Sequence, residues 1–162
     1  MTITGGQVGP APQTNIPVGV NGVDGYVFGG GKGVGDDPIT NTNPYGQYYE
    51  FADVNATLVT VNMTGPTNTN RIWGSVLGGA EDGHVLDSTK VLFQNGLIGT
   101  NGTTEDDGDI FGGGRNYHKM NYTAGRVGGN TIIDMTGGQI FGNIYGGGRF
   151  GMTGVDIEGV MI

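Results

Sequence analysis

Three groups of side chains in this chain have the types and spacing that binding chemistry needs. Glu105, Asp106, Asp107 and Asp109 put four carboxylates into five residues, and a hard cation such as calcium is held by several carboxylate oxygens. The run lacks the alternating ligand positions of a helix–loop–helix calcium site, so a solvated acidic turn competes with that reading. Calcium is the one cofactor the sequence suggests. Tyr45, Tyr48, Tyr49 and Phe51 form an aromatic cluster on which sugar rings could stack, with the lone Trp73 elsewhere. The same rings would serve equally to pack a flap onto the rest of the fold. Finally, Lys32, Glu81, Arg115 and Arg149 each follow a run of small residues. If those runs align in space, Glu81 sits between basic groups, as a groove for an acidic sugar or as a surface ion-pair ladder of small energy. The ladder is the simpler reading.

Catalytic chemistry finds little to stand on. His84 and His118 occupy non-equivalent positions, and neither belongs to an H-E-x-x-H pattern. The only serines are Ser75 and Ser88, and no G-x-S-x-G elbow surrounds them. Gly146-Gly147-Gly148-Arg149-Phe150-Gly151 matches G-x-G-x-x-G, but a dinucleotide site needs a helix after it and an acidic residue about 20 positions on. Another β-like segment follows instead. Paired carboxylates could cleave a polysaccharide, yet no pair is bound to converge. The expectation is a protein that is not an enzyme.

What positions these groups is a phrase used four times. Gly25-Tyr26-Val27-Phe28-Gly29-Gly30-Gly31, Gly74-Ser75-Val76-Leu77-Gly78-Gly79-Ala80, Gly108-Asp109-Ile110-Phe111-Gly112-Gly113-Gly114 and Gly142-Asn143-Ile144-Tyr145-Gly146-Gly147-Gly148 share the order Gly, any residue, two β-formers, small residues. Spacings of this size mark stacked repeats. Before the phrase comes an alternating strand: residues 1–8, 59–65, 89–96 and 133–140, with Met1-Thr2-Ile3-Thr4-Gly5-Gly6-Gln7-Val8 close to Ile133-Asp134-Met135-Thr136-Gly137-Gly138-Gln139-Ile140. After it comes a third short segment around Val34, Val85, Val127 and Thr153. Gly9–Asp24, Pro66–Ile72 and Leu97–Asp107 read as insertions at one shared corner, rich in turn residues. The fold expected is all-β: a right-handed parallel β-helix, or β-solenoid, with glycine corners and loop insertions. It forms one unit over residues 1–162, with 36–53 as an inserted loop or flap.

Of 162 residues, 36 are glycine, so long helices are disfavoured. Seven Lys and Arg against 15 Asp and Glu give a formal net charge of -8, which repels a phosphate backbone and argues against nucleic acid as partner. No apolar run approaches the roughly 20 residues of a membrane-spanning helix. Without cysteine there are no disulfides or thiolate metal sites. Asn55, Asn62, Asn101 and Asn121 begin N-glycosylation sequons, which matter only in a host that glycosylates. Residue 1 falls inside a strand, and Val155–Ile162 begins another. Both ends therefore read as open coils, because neither carries a polar capping repeat. Met1, Ile3, Val8, Val155, Ile157, Val160 and Ile162 are the expected assembly residues, through head-to-tail self-association or continuation in a longer chain.

Val27-Phe28-Gly29-Gly30-Gly31, Ile110-Phe111-Gly112-Gly113-Gly114 and Ile144-Tyr145-Gly146-Gly147-Gly148-Arg149-Phe150, with Met135-Thr136-Gly137-Gly138-Gln139-Ile140 before the last, resemble glycine-rich repeat regions of large Bacteroidetes surface, adhesin-like proteins. The resemblance covers most of the chain outside 36–53. It implies an extracellular or cell-surface location and an adhesive or scaffolding role, and it brings no catalytic residues. The leading functional reading is a structural fibre subunit. The alternatives are a carbohydrate-binding β-helix and, less favoured, a polysaccharide-degrading enzyme.

Overall fold

Short alternating strands cannot bury an apolar face alone, and here each one finds a copy of itself one turn away. A computed structural model describes residues 1–9, 25–35, 47–48, 52–66, 69–99, 108–116 and 124–154. Three four-stranded parallel sheets carry the fold. The first contains β1 (Thr2–Ile3), β6 (Thr57–Asn62), β9 (Thr89–Asn95) and β12 (Thr131–Met135) in that order. The second contains β2 (Gln7–Val8), β7 (Arg71–Ile72), β10 (Leu97–Ile98) and β13 (Gln139–Ile140). The third contains β3 (Val27–Phe28), β8 (Val76–Leu77), β11 (Ile110–Phe111) and β14 (Ile144–Tyr145). Spatial order equals chain order in every sheet, so the chain visits the three sheets in turn and then steps to the next level. The result is a solenoid-like stack of four coils. β4 (Val34–Gly35) and β5 (Gln47–Tyr48) form a separate antiparallel pair.

Register ties the four phrases residue on residue. Val27, Val76, Ile110 and Ile144 form one column, and Phe28, Leu77, Phe111 and Tyr145 the next. Two single-residue ladders extend the stack, one through Lys32, Glu81 and Arg115 and the other through Val54, Val85, Val127 and Thr153.

The pleat of β6 and β9 turns alternate residues inward. Val59, Val61, Val91 and Phe93 are therefore fully buried, together with Ile72, Ile98, Val76 and Ile110. Each such side chain contributes about 1.5–3 kcal/mol of burial. Ile3 and Val8 in coil 1, and Ile133 and Ile140 in coil 4, pack against this core while only partly buried.

Two devices recur along the stack. A Cβ built on Gly29, Gly78 or Gly112 would lie 2.1, 2.3 or 2.4 Å from the carbonyl oxygen of the corresponding glycine one coil on, so only glycine fits the close approach. The hydroxyls of Thr57, Thr89 and Thr131 donate to the carbonyls of Gly78, Gly112 and Gly146. These bonds tie the start of the first sheet to the run after the third.

Three expectations need correction. Val34 does not join the Val85–Val127 ladder: its backbone pairs antiparallel with Tyr48, and Val54 takes the coil-1 place. Arg71–Ile72 and Leu97–Ile98 belong to the second sheet and not to insertions. The insertions do not share one corner either. Coil 2 has its extra residues between β6 and β7, whereas coils 1 and 3 have theirs between the second and third sheets. Only Gln47, Tyr48, Ala52 and Asp53 of the 36–53 segment are among the described residues.

Candidate functional site: a basic and aromatic seam and an open coil

The charged ladder begins from backbone geometry. Parallel bridges join Lys32 to Glu81 and Glu81 to Arg115, whereas Phe150, not Arg149, bridges to Arg115 and does so antiparallel. Arg149 still docks on the same corner, its N–H donating to Gly114 O at 2.8 Å while its carbonyl accepts from Asn116 N–H at 3.1 Å. Phe150 adopts φ 61° to make that crossing.

Side chains turn the ladder into a brace along the stack. Arg115 Nη2 donates to Glu81 Oε1 at 3.0 Å. The Arg115 guanidinium also lies 4.4 Å from the Tyr26 ring centre and 5.1 Å from that of Phe28. Each such cation–π contact contributes about 0.5–2 kcal/mol. Arg149 Nη1 donates to the Tyr26 hydroxyl at 3.0 Å, linking coil 4 directly to coil 1. Arg115 is buried, so its charge serves the stack and does not face solvent as a ligand groove would require.

A second seam escaped sequence reasoning. Arg71 lies 4.7 Å from the Trp73 ring centre and 5.3 Å from that of Phe141, while its Nη1 donates to Gly99 O at 2.9 Å. Nothing in the sequence pairs Arg71 with Phe141 until β7 and β13 are known to share a sheet. His84 is likewise structural in its contacts: its backbone N–H donates to Asp53 Oδ1 at 3.2 Å, and its Nδ1 stands 3.6 Å from Asp53 Oδ2.

Asp109, the described member of the acidic run, points into the stack. Its N–H donates to Ser75 Oγ at 3.1 Å, and its Oδ1 accepts from Asn143 N–H at 2.6 Å. Ser75, Asp109 and Asn143 hold the second position of successive phrases, so this polar row crosslinks coils 2, 3 and 4. Glu105, Asp106 and Asp107 lie outside the described residues, as do Tyr45, Tyr49, Phe51 and His118. Tyr48 is placed by backbone pairing alone. Among the described residues, no group of three or more His, Cys, Asp or Glu could hold a metal ion. No helix there is long and apolar enough to cross a membrane.

The expected assembly residues divide between the two ends. Met1 is exposed, with its ammonium donating to Leu58 O at 2.7 Å, while Ile3 and Val8 face the core. Val155, Ile157, Val160 and Ile162 lie outside the described residues. The open surface falls on coil 4 residues that the sequence did not single out. Its strands β12, β13 and β14 are the last in their sheets among the described residues. Down the third-sheet core column, Val76 and Ile110 are 0% exposed and Ile144 is 49% exposed. Phe93 and Met135 show the same step, from 0% to 42%. Tyr145 stacks on Phe111 at 4.9 Å and leaves its other side exposed.

No protein-family model, curated protein or solved structure matches the chain.

Proposed function

We propose that this chain is a non-enzymatic structural protein of the cell surface or extracellular space, a fibre subunit that stacks head to tail through coil ends and displays its corner loops. The observation that carries the reading is the uncovering of two core columns at coil 4, where Ile144 and Met135 meet solvent while their neighbours one coil below are sealed. An edge of three parallel strands with apolar columns is a template for further strand pairing. Repetition of such a non-closing contact gives a filament. The winding in this reading is right-handed, as crossovers between parallel strands are in about 98% of cases, with glycine at the corners. The glycine-rich surface-protein resemblance supports the location.

Negative-stain electron microscopy of the purified chain tests it. Uniform threads at micromolar concentration are expected, and dispersed particles at all accessible concentrations would sink the reading.

A further inference from the structure

Three inner junctions of the stack obey one steric rule. The space above Gly29, Gly78 and Gly112 is filled by the carbonyl oxygen of Gly78, Gly112 and Gly146 respectively. The next glycine follows suit in the second and third runs, where a Cβ on Gly79 would meet Gly114 N at 2.5 Å and one on Gly113 would meet Gly148 N at 2.8 Å. At Gly30 the nearest atom is the Ala80 Cβ, at 2.8 Å. At Gly146 and Gly147 the same construction meets nothing within 4 Å among the described residues. Neither residue has a positive φ, so neither needs to be glycine for its own conformation. Coil 4 thus keeps two vacant spaces of the shape that backbone fills lower in the stack.

Amide direction agrees. In the third sheet, Val27, Gly29, Val76, Gly78, Ile110 and Gly112 each donate an N–H to a carbonyl of the coil above. The pattern continued upward directs the amides of Ile144 and Gly146 at two carbonyls of a further coil.

We infer that the surface Ile144–Gly148 receives the Tyr26–Gly31 strand of a second copy, in the register of the inner junctions. This rests on the stacking reading above and adds its register and polarity. Phe28 of the incoming copy then stacks on Tyr145 as Tyr145 does on Phe111, and Val27, only 4% exposed in the single chain, exchanges its present cover for Ile144. The Gly29 carbonyl of that copy occupies the space over Gly146. The incoming strand suits the site because it is the same phrase: a β-former pair followed by glycines. A side chain in place of either glycine contact would keep the two backbones apart.

The test is Gly146→Ala in the full chain, with Gly147→Val as a second, independent variant. Both should keep the circular dichroism and thermal midpoint of the unaltered chain, because each added side chain meets nothing within 4 Å among the described residues. Both should abolish threads at concentrations where the unaltered chain forms them. Mixed in as a minor fraction, Gly146→Ala should also shorten unaltered threads, since its coil 1 can still cap a growing end. Normal threads from both folded variants would overturn the register while leaving the stacking reading in place. Threads blocked by these variants but unshortened in the mixture would overturn the assigned partner strand. No threads from the unaltered chain would overturn both, as would a monomeric chain whose own later residues protect the Ile144 and Gly146 amides from exchange.

Discussion

The third sheet meets its surroundings differently at its two ends. Val27 in coil 1 is 4% exposed, whereas Ile144, in the same column in coil 4, is half exposed. Both belong to the same phrase and sit in the same kind of strand. Near the Val27 end, Tyr26 and Phe28 lie under the Arg115 guanidinium. At the Ile144 end, Tyr145 has a ring beneath it and an exposed face above. Val27 and Ile144 each have one neighbouring coil among the described residues, so place at the end of the stack does not by itself set burial.

Substitutions at matched positions should expose that difference. The largest contrast is expected between Gly112→Val and Gly146→Val. The first drives a side chain into the Gly146 carbonyl and should cost about 3 kcal/mol or more, by overpacking and a broken coil junction. The second should stay within about 0.5 kcal/mol, as surface changes do. Urea unfolding of dilute, unassembled chain measures both, and equal losses would break the comparison. Next, Phe93→Ala should cost about 3–5 kcal/mol and Met135→Ala, in the same column, about 1 kcal/mol, because the outer position is already wet. Arg115→Gln removes the Glu81 ion pair and both cation–π contacts, and a loss of about 2 kcal/mol is expected. A much smaller figure in chemical denaturation would demote the brace to a surface ladder. The smallest effect belongs to Thr89→Val, which deletes the hydroxyl donor to Gly112 O and should cost about 1 kcal/mol.

Much of this architecture was legible in the sequence because the phrase is rigidly spaced. The columns Val27–Val76–Ile110–Ile144 and Phe28–Leu77–Phe111–Tyr145 follow from aligning the four copies by eye. The second sheet was harder. Each of its strands offers only two residues, with one core side chain apiece in Val8, Ile72, Ile98 and Ile140, too little for alternation to show. Val34 misled because its flanking glycines mimic those around Val85 and Val127, whereas the coil-1 place belongs to Val54, well downstream. The charged corner was readable as a ladder through Lys32, Glu81 and Arg115. Its link to Tyr26 was not, since no local pattern joins residues 123 positions apart. The open coil was sought at the chain termini: Met1 is exposed, and Val155, Ile157, Val160 and Ile162 lie outside the described residues. Exposure at Met135, Ile144 and Tyr145 depends on which strands stack, which the sequence does not show.

The Arg149–Tyr26 hydrogen bond has a consequence for how the molecule comes apart. A stack held only by adjacent contacts would fray from its ends, one coil at a time. Here the fourth coil is latched to the first, and the third lays the Arg115 guanidinium over the same ring. Peeling the last coil must release a ring that belongs to the far end. The array should consequently lose its order in one cooperative step, with amides of β3 and β14 exchanging through a shared opening. Tyr26→Phe, which removes the hydroxyl that accepts from Arg149, should uncouple them.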